Sequence, residues 1–81
     1  MVVRFRALDS PLAFGERLAV LRRRSALSQT EVARRLGVRR ATVNDWEAER
    51  AEPRLSHAVA LAALYGVTID VLTGQAPLPS R

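Results

Sequence analysis

The sequence predicts an all-α fold, a compact bundle of about five short helices, with residues 2–8 as a possible short N-terminal strand. Apolar residues recur with helical periodicity in successive segments. Glycines at 37, 66 and 74 follow three of these segments, as they do at helix C-termini. Ser28 and Thr68 stand directly before two of them, where helix N-caps are expected.

The first helix is predicted to begin at Ser10 and Pro11, as N-cap and first helical residue, and to end near Ser25. Its apolar face has members spaced at i, i+4 and i+7, namely Phe14, Leu18 and Leu21. Three arginines lie largely off that face: Arg17, Arg23 and Arg24. Solvated arginines at a helix C-terminus also favour the helix dipole.

The second helix is predicted from a capping box, with Ser28 at the N-cap and Glu31 at N3. Its small apolar face consists of Val32, Ala33 and Leu36, and Gly37 ends it. A helix of about two turns is unstable alone, so its neighbours must hold it.

Three further helices follow. The third starts near Arg40 and runs to about Ala48, with Val43 and Trp46 as its buried stripe. The fourth covers roughly 55–65, and its predicted inward residues are Leu55, Ala58, Leu61, Ala62 and Tyr65. The fifth is capped by Thr68 and ends at Gly74, with Ile69 and Leu72 predicted to be buried.

The length of 81 residues allows one small domain. We expect an N-terminal extension at 1–9, a domain at 10–74 and a flexible tail at 75–81. The alternating stretch 2–8 either lies loose, packs on the helices, or pairs with its copy across a dimer.

Composition narrows the class of protein. The net charge is +5, the sequence pI is about 11.5, and all 13 Lys+Arg residues are arginine, which favours a polyanionic partner, nucleic acid before membrane. The chain has no cysteine and no apolar segment long enough to span a membrane, so we expect a cytoplasmic protein without disulfides or thiolate metal sites.

No arrangement of residues points to catalysis. His57 is the only histidine and has no partner imidazole or carboxylate pair, so a metal or acid–base role is not expected. There is no glycine-rich phosphate loop, and no nucleophile has a base at a suitable spacing. We therefore expect a protein that is not an enzyme and needs no cofactor.

A helix, a glycine-centred turn and a second helix at 28–48 form the pattern of a helix-turn-helix. In that motif the second helix enters the major groove and reads DNA with its N-terminal residues. Val43 and Trp46 would hold this helix to the body. The residues free to face outward are Arg39, Arg40, Ala41, Thr42, Asn44 and Asp45.

The chain resembles the lambda-repressor/Cro-type DNA-binding domains, a family also named after the xenobiotic response element. The resemblance covers most of the chain and rests on a specific combination of segments: GERLAVLRRR (15–24), LSQTEVARRLGV (27–38), ATVNDWE (41–47), Pro53, Leu55 and GVTIDVLTG (66–74). It implies a DNA-binding regulator of bacterial or phage type.

The resemblance also implies roles for individual residues. Gln29 would bond a phosphate and support the reading helix. The groove-facing positions would be Arg40, Ala41, Asn44 and Asp45, and the loop contacts to phosphate would be Arg50 and Arg54. Arg22 and Glu47 match a partly buried ion pair. Arg40 would read guanine, whereas Asp45 would orient Arg40 or Arg39 rather than contact cytosine.

Three positions depart from the family pattern. Ala26 and Glu49 stand where glycine is common, so either these turns differ or each costs roughly 1–2 kcal/mol in a left-handed conformation. Arg39 replaces the usual Ser or Thr N-cap, which loses about 1 kcal/mol. A bound phosphate would offset that loss, so we expect Arg39 to contact phosphate.

Two functions fit this reading. One is a repressor that occludes a promoter as a dimer on a palindromic site, as in phage immunity or the control of restriction–modification. Its dimer seam would be the fifth helix or residues 2–8. The other is an antitoxin that binds a protein partner and regulates its own operon, with its loose terminal segments ordering on contact.

Overall fold

The computed structural model describes residues 12–79. The order of elements is α1 (Phe14–Arg24), α2 (Gln29–Leu36), α3 (Arg40–Glu47), α4 (Leu55–Tyr65) and α5 (Ile69–Thr73). This confirms the all-α prediction with five helices, and residues 12–79 contain no strand. The predicted strand at 2–8 lies outside the described residues.

The helices pack so that α3 lies against both α1 and α2, while α5 closes the other side against α1 and α4. The buried core draws on all five helices and consists of Leu18, Leu21, Val32, Ala33, Val43, Trp46, Leu61, Ala62, Tyr65 and Leu72. Burial raises the pKa of the Tyr65 hydroxyl well above its usual range. Because α2 and α3 have only eight residues each, this shared core is what keeps them helical.

The predicted start of α1 was wrong. The helix begins at Phe14 with Ala13 at the N-cap, rather than with Ser10 and Pro11, which lie outside the described residues. The reason is local: Glu16, at N3, accepts the Ala13 N–H at 3.1 Å and supplies the acidic first turn.

Two residues predicted to be buried are exposed. Leu55 is 77% exposed and Ile69 is 36% exposed. Each is the first residue of its helix, beyond the edge of the core that Leu61 and Leu72 fill. One turn after Leu55, Val59 is also exposed, so α4 presents apolar side chains to solvent.

Arg17 shows the opposite error, because it was placed off the apolar face of α1 and is only 1% exposed. Its Nη1 donates to the Val71 carbonyl oxygen at 3.3 Å. Its Nη2 is buried and has no hydrogen-bond partner. Burial lowers the pKa of the guanidinium. The side chain therefore ties α1 to α5 through the backbone.

Ala26 and Glu49 adopt the left-handed conformation, with φ of 58° and 61°. Both lie in Schellman turns: the N–H of Leu27 donates to the Arg22 carbonyl at 3.2 Å, and that of Arg50 to the Asp45 carbonyl at 2.9 Å. The sequence left open whether these turns differ from those of the family or are left-handed at a cost in stability. The structure shows the left-handed conformation at both residues.

Residues 75–79 lie against the body. Leu78 packs on the core, and Nη1 of Arg24 donates to the Pro79 carbonyl at 2.9 Å. The composition of this segment gave no sign of these contacts.

Gly15 marks the closest approach of α1 to the end of α3. A Cβ atom added there would lie 2.3 Å from the backbone oxygen of Glu47 and 2.7 Å from Cγ of Glu49. No side chain fits, because the backbone oxygen cannot rotate away.

We predict that Gly15→Ala lowers the free energy of unfolding by about 1–3 kcal/mol through overpacking, measured by urea denaturation. The double variant Gly15→Ala/Glu49→Ala is the control. The second substitution removes the contact with the flexible Glu49 side chain but leaves the clash with the Glu47 backbone oxygen. The double variant should therefore regain little of the lost free energy of unfolding. A stabilisation of about 1 kcal/mol, the value expected from helix propensity alone, would contradict the close approach.

We predict that Ala26→Gly raises the free energy of unfolding by about 1 kcal/mol, because glycine relieves the left-handed strain. Ala48→Gly is the matched control, since Ala48 is also exposed at a helix end but has a φ of −88°. Glycine there should destabilise by about 0.5–1 kcal/mol. Equal effects at the two positions would exclude strain at Ala26.

Candidate nucleic-acid interface

The turn between α2 and α3 is set by Gly37, whose φ is 71°. The N–H of Val38 donates to the Ala33 carbonyl at 3.0 Å, which closes the end of α2. At the other end, Ser28 Oγ accepts the Glu31 N–H at 3.0 Å. Only this half of the predicted capping box forms, because the Glu31 carboxylate pairs with Arg34 and Arg35 instead.

α3 is amphipathic in the way that a groove-reading helix requires. Val43 and Trp46 are 2% and 3% exposed, and the Trp46 ring lies 5.4 Å from the ring of His57, centroid to centroid. Arg39, Arg40 and Ala41 are exposed. Thr42, Asn44 and Asp45 are half-buried. The start of α3 is thus exposed, while Val43 and Trp46 hold the helix to the core.

A partly buried ion pair joins α1 to α3. Arg22 Nε donates to Glu47 Oε2 at 2.7 Å and Nη2 to Oε1 at 3.2 Å, a two-pronged contact. Arg22 Nη1 also donates to the Leu27 carbonyl at 3.0 Å. The two side chains are 13% and 8% exposed, and the hydrogen bond with Glu47 raises the pKa of Arg22.

Gln29 extends this pair to the start of α2. Its Nε2 donates to Glu47 Oε1 at 3.0 Å and to Asn44 Oδ1 at 3.2 Å. Asn44, which sequence reasoning placed in the groove, therefore lies against α2 through its oxygen. The family resemblance implied the Arg22–Glu47 pair and a supporting role for Gln29, but the hydrogen bond from Gln29 to Asn44 was not predicted.

The partner of Asp45 differs from the prediction. Asp45 was expected to orient Arg40 or Arg39, but its Oδ1 accepts from Arg50 Nε at 3.0 Å. The Schellman turn at Glu49 brings the backbone of Arg50 back to Asp45. The spacing of Asp45 and Arg50 in the sequence did not predict that these two side chains would meet.

The arginines near α2, α3 and the start of α4 differ in whether a carboxylate pairs with them, and Arg50 has Asp45. Arg34 and Arg35 share Glu31, and these hydrogen bonds lower the pKa of the Glu31 carboxyl to about 2. In contrast, no carboxylate within residues 12–79 pairs with the exposed side chains of Arg39, Arg40 and Arg54.

Arg39 and Arg54 share a further feature, because each is the N-cap residue of a helix and neither makes a side-chain cap bond. The first N–H groups of α3 and α4 are thus not capped by the side chain that precedes them. Both helix ends combine a guanidinium with the positive end of the helix dipole.

Other kinds of site are not seen in the described part of the chain. Residues 12–79 contain no group of three or more acidic, histidine or cysteine side chains that could hold a metal ion. None of the described helices is long and apolar enough to cross a bilayer.

We predict that Glu47→Ala and Arg22→Ala each lower the free energy of unfolding by about 3–5 kcal/mol, since each leaves a buried charge without its partner. Glu31→Ala removes the partner of two exposed arginines and should change the free energy of unfolding far less. Urea denaturation of the three variants checks this. Similar losses for Glu31→Ala and Glu47→Ala would show that burial of the Arg22–Glu47 pair does not decide its effect.

Comparisons with known proteins agree with this geometry. A family model described as "Helix-turn-helix" matches residues 18–72. Antitoxin HigA1 of Mycobacterium tuberculosis (strain H37Rv) is 43% identical over 60 residues, which is 69% of this chain and 40% of that protein. The "Uncharacterized HTH-type transcriptional regulator YobD" of Bacillus subtilis is 34% identical over 59 residues, 73% of this chain and 53% of that protein.

This chain spans about half or less of the length of these relatives. The family match covers α2, the Gly37 turn, α3 and the helices that support them. The chain belongs to the helix-turn-helix family of lambda-repressor/Cro type.

Proposed function

We propose that this protein is a sequence-specific, double-stranded DNA-binding transcriptional regulator, a repressor that acts as a dimer on a palindromic operator in the cytoplasm of a bacterium or on a phage genome. One observation carries the proposal: α3 exposes Arg39, Arg40 and Ala41 while Val43 and Trp46 anchor it. A helix held in this way can place its N-terminal half in the major groove.

Base reading falls to the exposed part of α3. Arg40 has no carboxylate partner in the described residues and presents a planar fork that fits guanine O6 and N7. Ala41 and Thr42 are small enough for close approach to a thymine methyl group. Asp45 holds Arg50, which keeps its carboxylate occupied near the DNA.

Phosphate contacts fall to the arginines beside α3. Arg39 and Arg54 lie at the uncapped starts of α3 and α4, where a phosphate would meet both the guanidinium and free backbone N–H groups. Arg50 lies in the loop between these helices. Such contacts supply affinity and register, not sequence information.

A second copy of the chain is the proposed dimer partner. Within residues 12–79, the large apolar side chains that are exposed are Leu55 and Val59 on α4 and Ile69 on α5. Most of the surface of a chain with net charge +5 repels its own copy, but α4 contains no charged residue. Pairing there would bury these side chains. Dimers of helix-turn-helix proteins bind half-sites about 34–36 Å apart.

The test is selection from a randomised duplex pool at two salt concentrations, followed by titration of the selected site. We predict that Arg40→Ala weakens binding by about 1–3 kcal/mol and relaxes preference at one position of each half-site. Arg54→Ala is the matched control for phosphate contact. It should weaken binding to all sequences alike and reduce the slope of log K against log salt by about 1.

A two-fold symmetric motif, with no binding of a single half-site at the same concentration, is the result expected for a dimer. Absence of any motif, with binding that collapses as salt rises, would show electrostatic contacts only and overturn sequence-specific regulation. An unchanged motif for Arg40→Ala would remove Arg40 as the reader.

The alternative function is that of an antitoxin that binds a partner protein and regulates its own operon. The 43% identity to Antitoxin HigA1 favours it. Expression together with the product of a neighbouring gene tests it. The antitoxin function would be supported if the neighbouring gene's product stops growth, if this chain restores growth, and if the two proteins elute together in gel filtration. A chain that represses alone and rescues nothing would exclude it.

A further inference from the structure

The orientation of the Gln29 amide is fixed by the charge of Glu47. An ionised carboxylate only accepts hydrogen bonds, so the group 3.0 Å from Glu47 Oε1 must be the amide nitrogen of Gln29 and not its oxygen. Arg22 holds this carboxylate through two hydrogen bonds, at 2.7 Å and 3.2 Å. The ion pair therefore determines which way the Gln29 amide faces.

The Gln29 amide in turn determines how Asn44 faces. The same Nε2 lies 3.2 Å from the side-chain amide of Asn44, and a donor requires the Asn44 oxygen at that place. Both hydrogens of Gln29 Nε2 are then used within the protein. The Asn44 nitrogen points away from Gln29, and no side chain or carbonyl within residues 12–79 accepts its hydrogens.

We infer that Asn44 Nδ2 is a fixed hydrogen-bond donor to a DNA phosphate, and that it takes the contact which the family resemblance implies for the Gln29 side chain. Gln29 keeps only its Oε1 free, and an acceptor cannot bond a phosphate oxygen. Gln29 is then a positioning residue for Asn44. This inference rests on the proposed DNA-binding function.

The same geometry excludes adenine reading by Asn44. An asparagine reads adenine with its oxygen and nitrogen together, on N6 and N7. Here the oxygen is turned to α2 and bonded to Gln29. An amide held in this way offers the DNA a donor alone.

The position of Asn44 on α3 favours a phosphate over a base acceptor. At about 100° per residue, Ala41 lies opposite the stripe of Val43 and Trp46. Asn44 and Asp45 lie on either side of Ala41, and Asn44 is on the side that Glu47 occupies. Asn44 lines an open cleft between α1 and α3, together with Gln29 and the exposed Arg23. Glu16 also lines this cleft, where it accepts the Ala13 N–H, and the Glu47 carboxylate there is held by Arg22. The flank of a reading helix is where the DNA backbone passes.

The test titrates the selected operator, and versions of it with each base pair changed, with wild type, Asn44→Ala and Asn44→Asp. Asn44→Ala should raise the Kd roughly ten- to a hundredfold, as expected for one hydrogen bond from a neutral donor to a charged group. The factor should be equal on every sequence, and the salt slope should not change, because a neutral donor displaces no counterion. Asn44→Asp keeps an acceptor for Gln29 but places an anion against the phosphate, so its loss should be larger.

A relaxed preference at one base pair in Asn44→Ala would show that Asn44 reads a base, and an unchanged Kd would show that it contacts nothing; either result overturns the inference. If wild type itself selects no sequence, the proposed function fails first. Urea denaturation of each variant separates a lost contact from a lost fold.

A measurement on wild type without DNA tests the orientation directly. The side-chain amide hydrogens of Gln29 should exchange slowly with solvent by nuclear magnetic resonance, and those of Asn44 quickly. Addition of the operator should slow exchange at Asn44. Slow exchange at Asn44 and fast exchange at Gln29 in the free protein would overturn the inference, whether or not the variants fold.

Discussion

The Arg22–Glu47 ion pair is the constraint on which the DNA-facing side of this domain depends. It is the point where α1, the start of α2 and the end of α3 meet, and both partners are largely removed from solvent. A buried pair of charges tolerates few alternative positions, because an unpaired charge there is costly. The pair fixes the orientation of the Gln29 amide, which in turn fixes that of Asn44. The ion pair thereby fixes the orientation of the Asn44 amide on α3.

The close fit of α1 against α3 has a local cost. Gly15 must lack a side chain for the helices to approach, and Ala26 and Glu49 hold left-handed turns without the freedom of glycine. These turns set the direction of the chain. The turn at Glu49 brings Arg50 next to Asp45, and the turn at Ala26 leads into α2. The packing of the whole core overrides unfavourable local propensities at both turns.

Arginine, which supplies every positively charged side chain in the net charge of +5, serves three different purposes in this fold. Arg17 and Arg22 lie inside and join helices. Arg34 and Arg35 share an acidic neighbour on the surface of α2. Arg39, Arg40 and Arg54 remain exposed without a carboxylate partner in the described residues. These three arginines lie at the starts of α3 and α4.

Local sequence patterns were enough to predict the five helices, their ends at Gly37, Gly66 and Gly74, and the stripe of Val43 and Trp46, because periodicity, caps and glycines act within a few residues. The packing of the helices was needed to show that Arg17 is buried, that Leu55 and Ile69 are exposed, and that Asp45 accepts a hydrogen bond from Arg50. It alone also turned Asn44 toward Gln29. These outcomes depend on which helices meet and at what angle, and on where a turn returns the chain, which local patterns do not encode.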